Sequence, residues 1–459
     1  MHKKARESDE EGTTPKKRWV TTFVWLGVVI SGGIVLLVTP SLQLSANTWM
    51  HTYGGGENDY IHDMVARNND ELVVVGKING SQLVGLSRRG GILWFHSPPH
   101  EKVMFYEVIS TADGGLMAIG TIDNSSVTDL YLYRFDAPGF SGWTRVYGHP
   151  EERDAYLISG PIGIQTTDGG FVVAAFEDGV RRSLYGTWLI RLNSTGFPVW
   201  NVSYGYPQVV NPSTLLQLSD GAVVLAGDLW SETPGNDAIV LCFDLNGTSL
   251  WNRTYAYENS ESEAISSLVQ TNDGGLVLAG ATHTYDAPAD AWLIRTDSSG
   301  NILWERTYGG SNSERIFSLI QTSDERFVLA GVVVGEDTID GWLICTDLEG
   351  QQLWNRTYGE LETDSISTIL PTDDGGFILA GTTYSFGAVK GDAWVFKTDP
   401  RGQFSQVPDL SGVLLLAGWG MSLGGALVLG ITVADHILTS RKAKEPPPTN
   451  HEDTISQVP

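Results

Sequence analysis

Cysteine and positive charge are what this chain has least of. Two cysteines in 459 residues cannot build a disulfide framework or a Cys-based zinc module. Lysine and arginine number 29 against 54 aspartates and glutamates, a net charge of −25. Phosphate backbones are recognised by basic surfaces, so nucleic acid is excluded as a partner. The nine histidines show no HExxH or paired-ligand spacing and offer no zinc site. A nucleophile elbow, a Walker loop and a dinucleotide fingerprint in a strand-to-helix setting are likewise missing. Apolar matter is not lacking. With 41% hydrophobic and 10% aromatic residues the chain can bury a large core, which excludes global disorder.

Much of that apolar content lies in two runs near the ends. Residues 19–39 (WVTTFVWLGVVISGGIVLLVT) carry no charge and are long enough to cross a hydrocarbon layer of roughly 30 Å as a helix. Residues 413–434 form the second run. Lys16, Lys17 and Arg18 precede the first, and Arg441, Lys442 and Lys444 follow the second, so both flanks read as cytoplasmic. This pattern predicts cytoplasmic tails at 1–18 and 435–459, two single transmembrane helices, and an extracellular domain over 48–407. A signal peptide cut near Ala46 is the alternative for the first run.

Between the runs the chain repeats itself, the feature to seek before local structure. Tryptophans that precede TYG-like elements fall at Trp49, Trp94, Trp143, Trp200, Trp251, Trp304 and Trp354, spaced 45 to 57 residues apart, with Phe404 in the eighth place. One unit reads AISSLVQT (264–271), GLVLAGATH (275–283), DAWLIRTD (290–297) and NILWERTYG (301–309), four segments of strand length and composition. Asn272-Asp273-Gly274 and Asp297-Ser298-Ser299-Gly300 between them are hairpin-turn chemistry. Four short antiparallel strands repeated seven times describe an all-β fold, a seven-bladed β-propeller of four-stranded blades. The fourth-strand motif has a surplus copy at 48–54, TWMHTYG, whereas 403–407 lacks the Trp and Tyr. The N-terminal strand is therefore expected to complete the last blade and close the ring.

A side-chain box recurs with the repeat. If Asp297 pairs with Asn301, period-2 alternation sets Asp290, Trp292, Trp304, Arg306 and Tyr308 on one face, with Arg306 between aromatic rings and Asp290 on the diagonal. Asp340, Trp342, Trp354, Arg356 and Tyr358 repeat the pattern, and Asp129/Arg145 and Asp237/Arg253 repeat the charged pair. Recurrence at blade junctions marks these residues as structural.

The D-x-x-G-x-x-x-W turns, as in TDSSGNILW, TDLEGQQLW and FDLNGTSLW, resemble the tryptophan-docked repeats of propellers related to the pyrroloquinoline quinone enzymes. QTNDGGLVLAG and TDDGGFILAGTTY resemble the β-propeller repeats of prokaryotic cell-surface proteins. The likeness covers residues 49–404 and implies a fold; repeats of this kind are nearly silent on function. The quinone enzymes carry adjacent cysteines beside their cofactor, whereas Cys242 and Cys345 lie in blades four and six, so neither quinone nor dehydrogenase activity is implied. Sialidase-type propellers place the aromatic of their Asp-box three residues after the glycine, not four.

Topology gathers HPEERD (149–154), LWSETPGND (229–237), ENSESE (258–263), GEDTID (335–340) and GELETD (359–364) on one face, strongly acidic and variable in length. An extracellular protein, a cation or a glycan is the partner such a face would take. Calcium is a weak candidate at GEDTID and over 286–290, which lack EF-hand spacing. Sequons at Asn79, Asn124, Asn193 and Asn246 fall in loops or turns and are candidate glycosylation sites. These features together read as a membrane-anchored, cell-surface binding or scaffold module with no catalysis of its own. The alternatives are a propeller hydrolase or oxidoreductase, or a purely structural envelope protein. A central pocket with convergent carboxylates would favour the enzyme, and a bare channel would favour binding.

Overall fold

The computed structural model describes Leu26–Ile30, Gly33–Leu37 and residues 48–404, apart from 68–70, 99, 101, 124–127, 137–140, 149–154, 158–159, 180–185, 206–208, 231–234, 258–259, 285–286 and 387–389. Within 48–404 the chain is a seven-bladed propeller of four-stranded antiparallel blades. Blade five is typical: Ser262–Gln270, Leu276–Thr284, Ala287–Thr296 and Ile302–Tyr308 pair in sequence order from the axis outward. Closure is as the surplus motif predicts. Trp49–Tyr53 pairs antiparallel with Asp392–Thr398 and supplies the outer strand of blade seven.

Burial follows from the stacking of blades. Second and third strands are covered on both faces by neighbouring blades and read as unbroken apolar runs, such as Leu276–Ala279, all fully buried. Outer strands have one covered face, and Ser249–Tyr255 alternates exposed and inward residues along its length. The core is divided accordingly. Seven apolar clusters among the described residues each join two adjacent blades, including one between blades seven and one that contains Tyr53, Ile61, Ile378 and Val395.

Innermost strands share a bulge, and a glycine permits it. The register slips between Ile61 and Asp63, Phe105 and Glu107, Pro212 and Thr214, Ile265 and Ser267, Ile316 and Ser318, and Ile366 and Thr368. Opposite each slip stands a second-strand glycine, Gly280 in blade five. A Cβ on Gly280 would meet the Ala264 carbonyl oxygen within 3 Å. Blade three has Ala175 in this place, and there the innermost strand is split into Ala155–Leu157 and Ile162–Gln165. The short piece also pairs with blade two, so blades two and three share one sheet.

Two expectations fail. Residues 19–39 do not form the expected transmembrane helix: Leu26–Ile30 and Gly33–Leu37 are strands paired as an antiparallel hairpin. Hydrophobicity and length do not distinguish helix from strand, and here β-branched Val28, Val29, Ile30, Ile34 and Val35 flank a Ser-Gly-Gly turn sequence. The second expected span, 413–434, lies outside the described residues. No helix among the described residues is long and apolar enough to cross a membrane. The membrane-anchored reading is thus corrected, together with its cell-membrane location, cytoplasmic termini and membrane partner.

The second failure is one of register. Asp297 donates its N–H to the Asn301 carbonyl at 2.9 Å, as the turn requires. A bulge at Arg295/Thr296 then inserts Leu303, so Trp292 pairs with Thr307 and Leu293 with Arg306. Asp290 and Trp292 therefore lie on the opposite face of the sheet from Trp304, Arg306 and Tyr308, and the expected box is two separate devices.

Candidate functional site

The bulges decide what faces the axis. A bulge turns the strand and re-aims its side chains. Here it presents two residues of most blades to a central cavity of about 240 Å³, including His62 and Asp63 from blade one and Tyr106 and Glu107 from blade two. At the post-bulge position blades four to seven carry the hydroxyls of Thr214, Ser267, Ser318 and Thr368, and blade three carries Ile162 at the matching register. Blades one and two alone place carboxyl groups there.

Each acid is held by the next blade. Asp63 accepts the Val108 N–H at 3.1 Å and a hydrogen bond from the Thr368 side chain. Glu107 accepts the Gly163 N–H. Both carboxyls line the cavity half-buried, where partial loss of water makes them costly to ionise. Burial pushes the Asp63 carboxyl up to about 6 against the pull of its hydrogen bonds. Glu107 is raised well above the usual carboxylate range, by burial first and by the charge of Asp63 second. Both carboxyls therefore hold their protons to higher pH than an ordinary carboxylate does. His62 completes the group. Its ring lies 4.8 Å from that of Tyr60 and 5.3 Å from that of Tyr106. Burial lowers its pKa, and its Nε2 has no hydrogen-bond partner. Two carboxyls raised above their usual range and an imidazole with an unpartnered Nε2 in one polar cavity are the components of proton transfer.

None of the residues singled out by sequence lies in this cavity. Trp304, Arg306 and Tyr308 clasp the next blade instead: the Trp304 ring covers Gly350, Tyr308 donates its hydroxyl to the Gly350 carbonyl at 2.6 Å, and Arg306 Nε reaches the Glu349 carbonyl at 3.2 Å. Trp354 and Tyr358 treat Gly402 in the same way, at 2.6 Å from the hydroxyl, with Arg356 stacked 5.6 Å from the Trp354 ring centre. The closing strand repeats the contact, Tyr53 donating to Gly90 at 2.6 Å. Trp292 and Trp342 are buried between blades, and Asp290 and Asp340 sit at blade junctions. Cys242 and Cys345 are unpaired and buried, and burial pushes both thiols up to about 11.

The acidic face is only partly described, since 149–154, 231–234 and 258–259 fall outside. Its described ends turn inward: Glu263 and Asp364 are buried rather than solvated. Asn79, Asn193 and Asn246 are exposed in turns, though the Asn193 side chain already accepts the Thr195 and Phe197 N–H groups. Asn124 lies outside the described residues. Asp63 and Glu107 were legible as acids interrupting a hydroxyl position of the repeat, a signal that a search for catalytic motifs passes over.

No family profile matches the sequence, and no curated protein does. Solved structures match at the level of shape. The WD40 domain of Neurospora crassa Pan2 is 12% identical with a TM-score of 0.46, covering 77% of this chain and 100% of that one. Drosophila Semaphorin 1a, extracellular domains 1–2, is 9% identical with a TM-score of 0.45, over 76% and 87% of the two chains. The α-L-arabinofuranosidase of Fusarium graminearum is 9% identical with a TM-score of 0.44, over 65% and 93%. Likeness this distant extends no further than the fold, so the function has to be argued from this chain's own cavity.

Proposed function

We propose that the protein is a hydrolase whose active site is the axial cavity, with Glu107 as general acid and Asp63 as general base. The observation that carries this reading is the pair itself: neighbouring carboxyl groups, both raised above the usual carboxylate range, at the two blades that place acids where four others place hydroxyls. Such a pair can protonate a leaving oxygen on one side and draw a proton from water on the other. The cavity suits one small polyhydroxylated unit, as at the end of a glycoside. Ser213, Ser267, Ser318 and Ser367 offer hydroxyls to bind it, and Tyr106 and Phe317 offer flat faces.

The purified protein is to be assayed on a panel of 4-nitrophenyl glycosides from pH 4 to 8. The expected kcat/KM rises through about pH 6 as Asp63 ionises. Asp63→Asn and Glu107→Gln each lower kcat by about 10²-fold or more. Turnover untouched by both substitutions, or none from a folded protein on the whole panel, contradicts the proposal.

One observation favours a second, structural reading. Asp63 and Glu107 accept N–H groups of the next blade, and Ser267 does the same for Leu319 at 3.1 Å. On that reading the acids are ring staples. Asp63→Ala then costs stability, and neither isosteric amide changes any rate.

The repeats we assign to the tryptophan-docked, prokaryotic cell-surface kind. What supports this is the D-x-x-G-x-x-x-W grammar and the seating of each such Trp on the next blade's turn glycine. Asn79, Asn193 and Asn246 stay proposed glycan acceptors, to be checked by a mobility shift after endoglycosidase treatment.

A further inference from the structure

The junctions between blades hold a second population of acids. The aspartate opening a third strand meets an acid at the start of the next blade's innermost strand: Asp237 with Glu263, Asp290 with Glu314, Asp340 with Asp364, and Asp392 with Asp59 across the ring closure. In three of these the pair converges over the glycine of a TYG element. Oxygens of both acids lie within 3 Å of where a Cβ would stand on Gly54, Gly309 and Gly359. The next-blade acids are thoroughly buried, Asp59 being 2% exposed and Glu314 5%.

No positive group acts on Glu263, Glu314 or Asp392; at the ring closure Lys77, ion-paired with Glu57, reaches only Asp59. The charge felt by Glu263 is that of Asp237, by Glu314 that of Asp290, and by Asp392 that of Asp59. Two carboxylate oxygens, Glu314 Oε2 and Asp392 Oδ1, are buried with no hydrogen-bond partner, and Asp392 as a whole is 9% exposed. An unpaired buried carboxylate beside a like charge is destabilising.

At two further junctions both acids are absent, and only opposite Asp129 does the repeat call for a residue, Ile158, that is not an acid. At the junction of blades one and two, Ser81 and Val103 replace both. At the junction of blades three and four, Gly186 and Val210 do. Neutral groups take over there: Gln82 accepts the Phe105 N–H at 3.1 Å and donates to the Val103 carbonyl, and Thr187 accepts the Val210 N–H at 2.8 Å. The partner position of Asp129 lies outside the described residues. Two groups that repel each other gain nothing from being kept as a pair unless something positive is shared between them.

We propose that these four junctions are binding sites for a calcium-like divalent cation, held between one carboxylate from each blade and clasping neighbouring blades together. The ligands are oxygens only, which selects a hard cation, and calcium tolerates the irregular sets of six to eight oxygens that a junction can offer. No three His, Cys, Asp or Glu side chains converge as a metal site among the described residues, so main-chain carbonyls or water supply the rest. These sites are separate from the axial cavity and do not depend on its function.

The test uses the purified 459-residue protein, stripped with EDTA and titrated with CaCl2 or MgCl2 at constant ionic strength. Calcium at saturation is expected to raise Tm by about 5 °C or more, and magnesium far less. Terbium luminescence, sensitised by Tyr53, Tyr308 and Tyr358 beside the glycines, should count four ions per chain. Asp290→Asn lowers the count by one. Replacing Asp237, Asp290, Asp340 and Asp392 together by Asn abolishes the calcium response, while the EDTA-treated variant melts no lower than the stripped parent because the repulsion is gone. If the fourfold variant does not fold, the single variants Asp290→Asn and Asp392→Asn decide by ion count. No calcium response together with stability that rises on acidification in EDTA overturns the proposal, because the pairs then share protons. A full calcium response in the fourfold variant overturns it too, because the ion then binds elsewhere.

Discussion

The acids of the axial cavity and the acids of the blade junctions both stand beside a second acid, yet they relate to the repeat in opposite ways. Junction acids follow it, recurring as pairs in four places, three of them over the same glycine. Cavity acids break it, appearing at adjacent blades where four others carry hydroxyls. A feature that recurs with the fold is explained by what every blade must do, which is to dock onto its neighbour. A feature confined to one side of the axis has no such explanation and is where a site is to be sought. Changes to repeat-following features should therefore act on stability, and changes to repeat-breaking ones on pH response and activity.

The largest effect is expected from removing residues 48–54. Blade seven then loses its outer strand, exposing the edge of Asp392–Thr398 and the docking surface at Gly90. A loss of about 5 kcal/mol or more, with a broad, non-cooperative melt by calorimetry, is the expected outcome. A sharp transition at the parental temperature would show that the ring does not rely on its clasp.

Asp63 should make the other side of the contrast visible. Its pKa is raised in the fold from 3.8 to about 6. A raised carboxyl favours the fold below its unfolded pKa, and that contribution is lost as pH rises through the folded value. Urea titrations of the parent should thus show stability falling between about pH 4 and 6, by up to about 3 kcal/mol before screening by water in the lumen. Asp63→Asn should make the fall across that window shallower, the raised Glu107, Glu263 and Glu314 keeping the rest of it, and Ser318→Ala should leave it unchanged.

Two neighbouring glycines sharpen the account of the junctions. A Cβ on Gly309 would strike Asp290 and Glu314, whereas one on Gly310 meets nothing within 4 Å. Gly309→Ala should cost about 2 kcal/mol and Gly310→Ala close to nothing, by chemical denaturation. The smallest effect belongs to Tyr308→Phe. It removes one buried hydroxyl donor to Gly350 and should cost about 1 kcal/mol without altering any rate.

The propeller was legible because a repeat states its unit seven times: blade count, strand order and even the closing strand 48–54 follow from aligning one tryptophan. What was not legible depended on single residues. Leu303, inserted opposite Arg295/Thr296, turns the expected partnership of Asp290 and Arg306 into two faces, and no periodicity argument foresees one extra residue. The apolar run at 19–39 was read by its hydrophobicity, a property that helices and strands share. Buried Glu263 and Asp364 were read as surface charge because sequence position places a loop but not the direction in which its last side chain points. Asp63 and Glu107 were within reach, since the hydroxyl position they replace is defined by the repeat. That they meet side by side at the axis follows from the adjacency of blades one and two and the shared bulge.

The central claim is that the cavity keeps the Glu107 carboxyl protonated above the range in which ordinary carboxylates ionise. Infrared difference spectra between the parent and Glu107→Gln, recorded just above that range in the carbonyl-stretching region of protonated carboxylic acids, test it most directly. The account predicts a protonated-carboxyl band that is present in the parent and lost in the variant. A difference spectrum showing only the loss of an ionised carboxylate would contradict it.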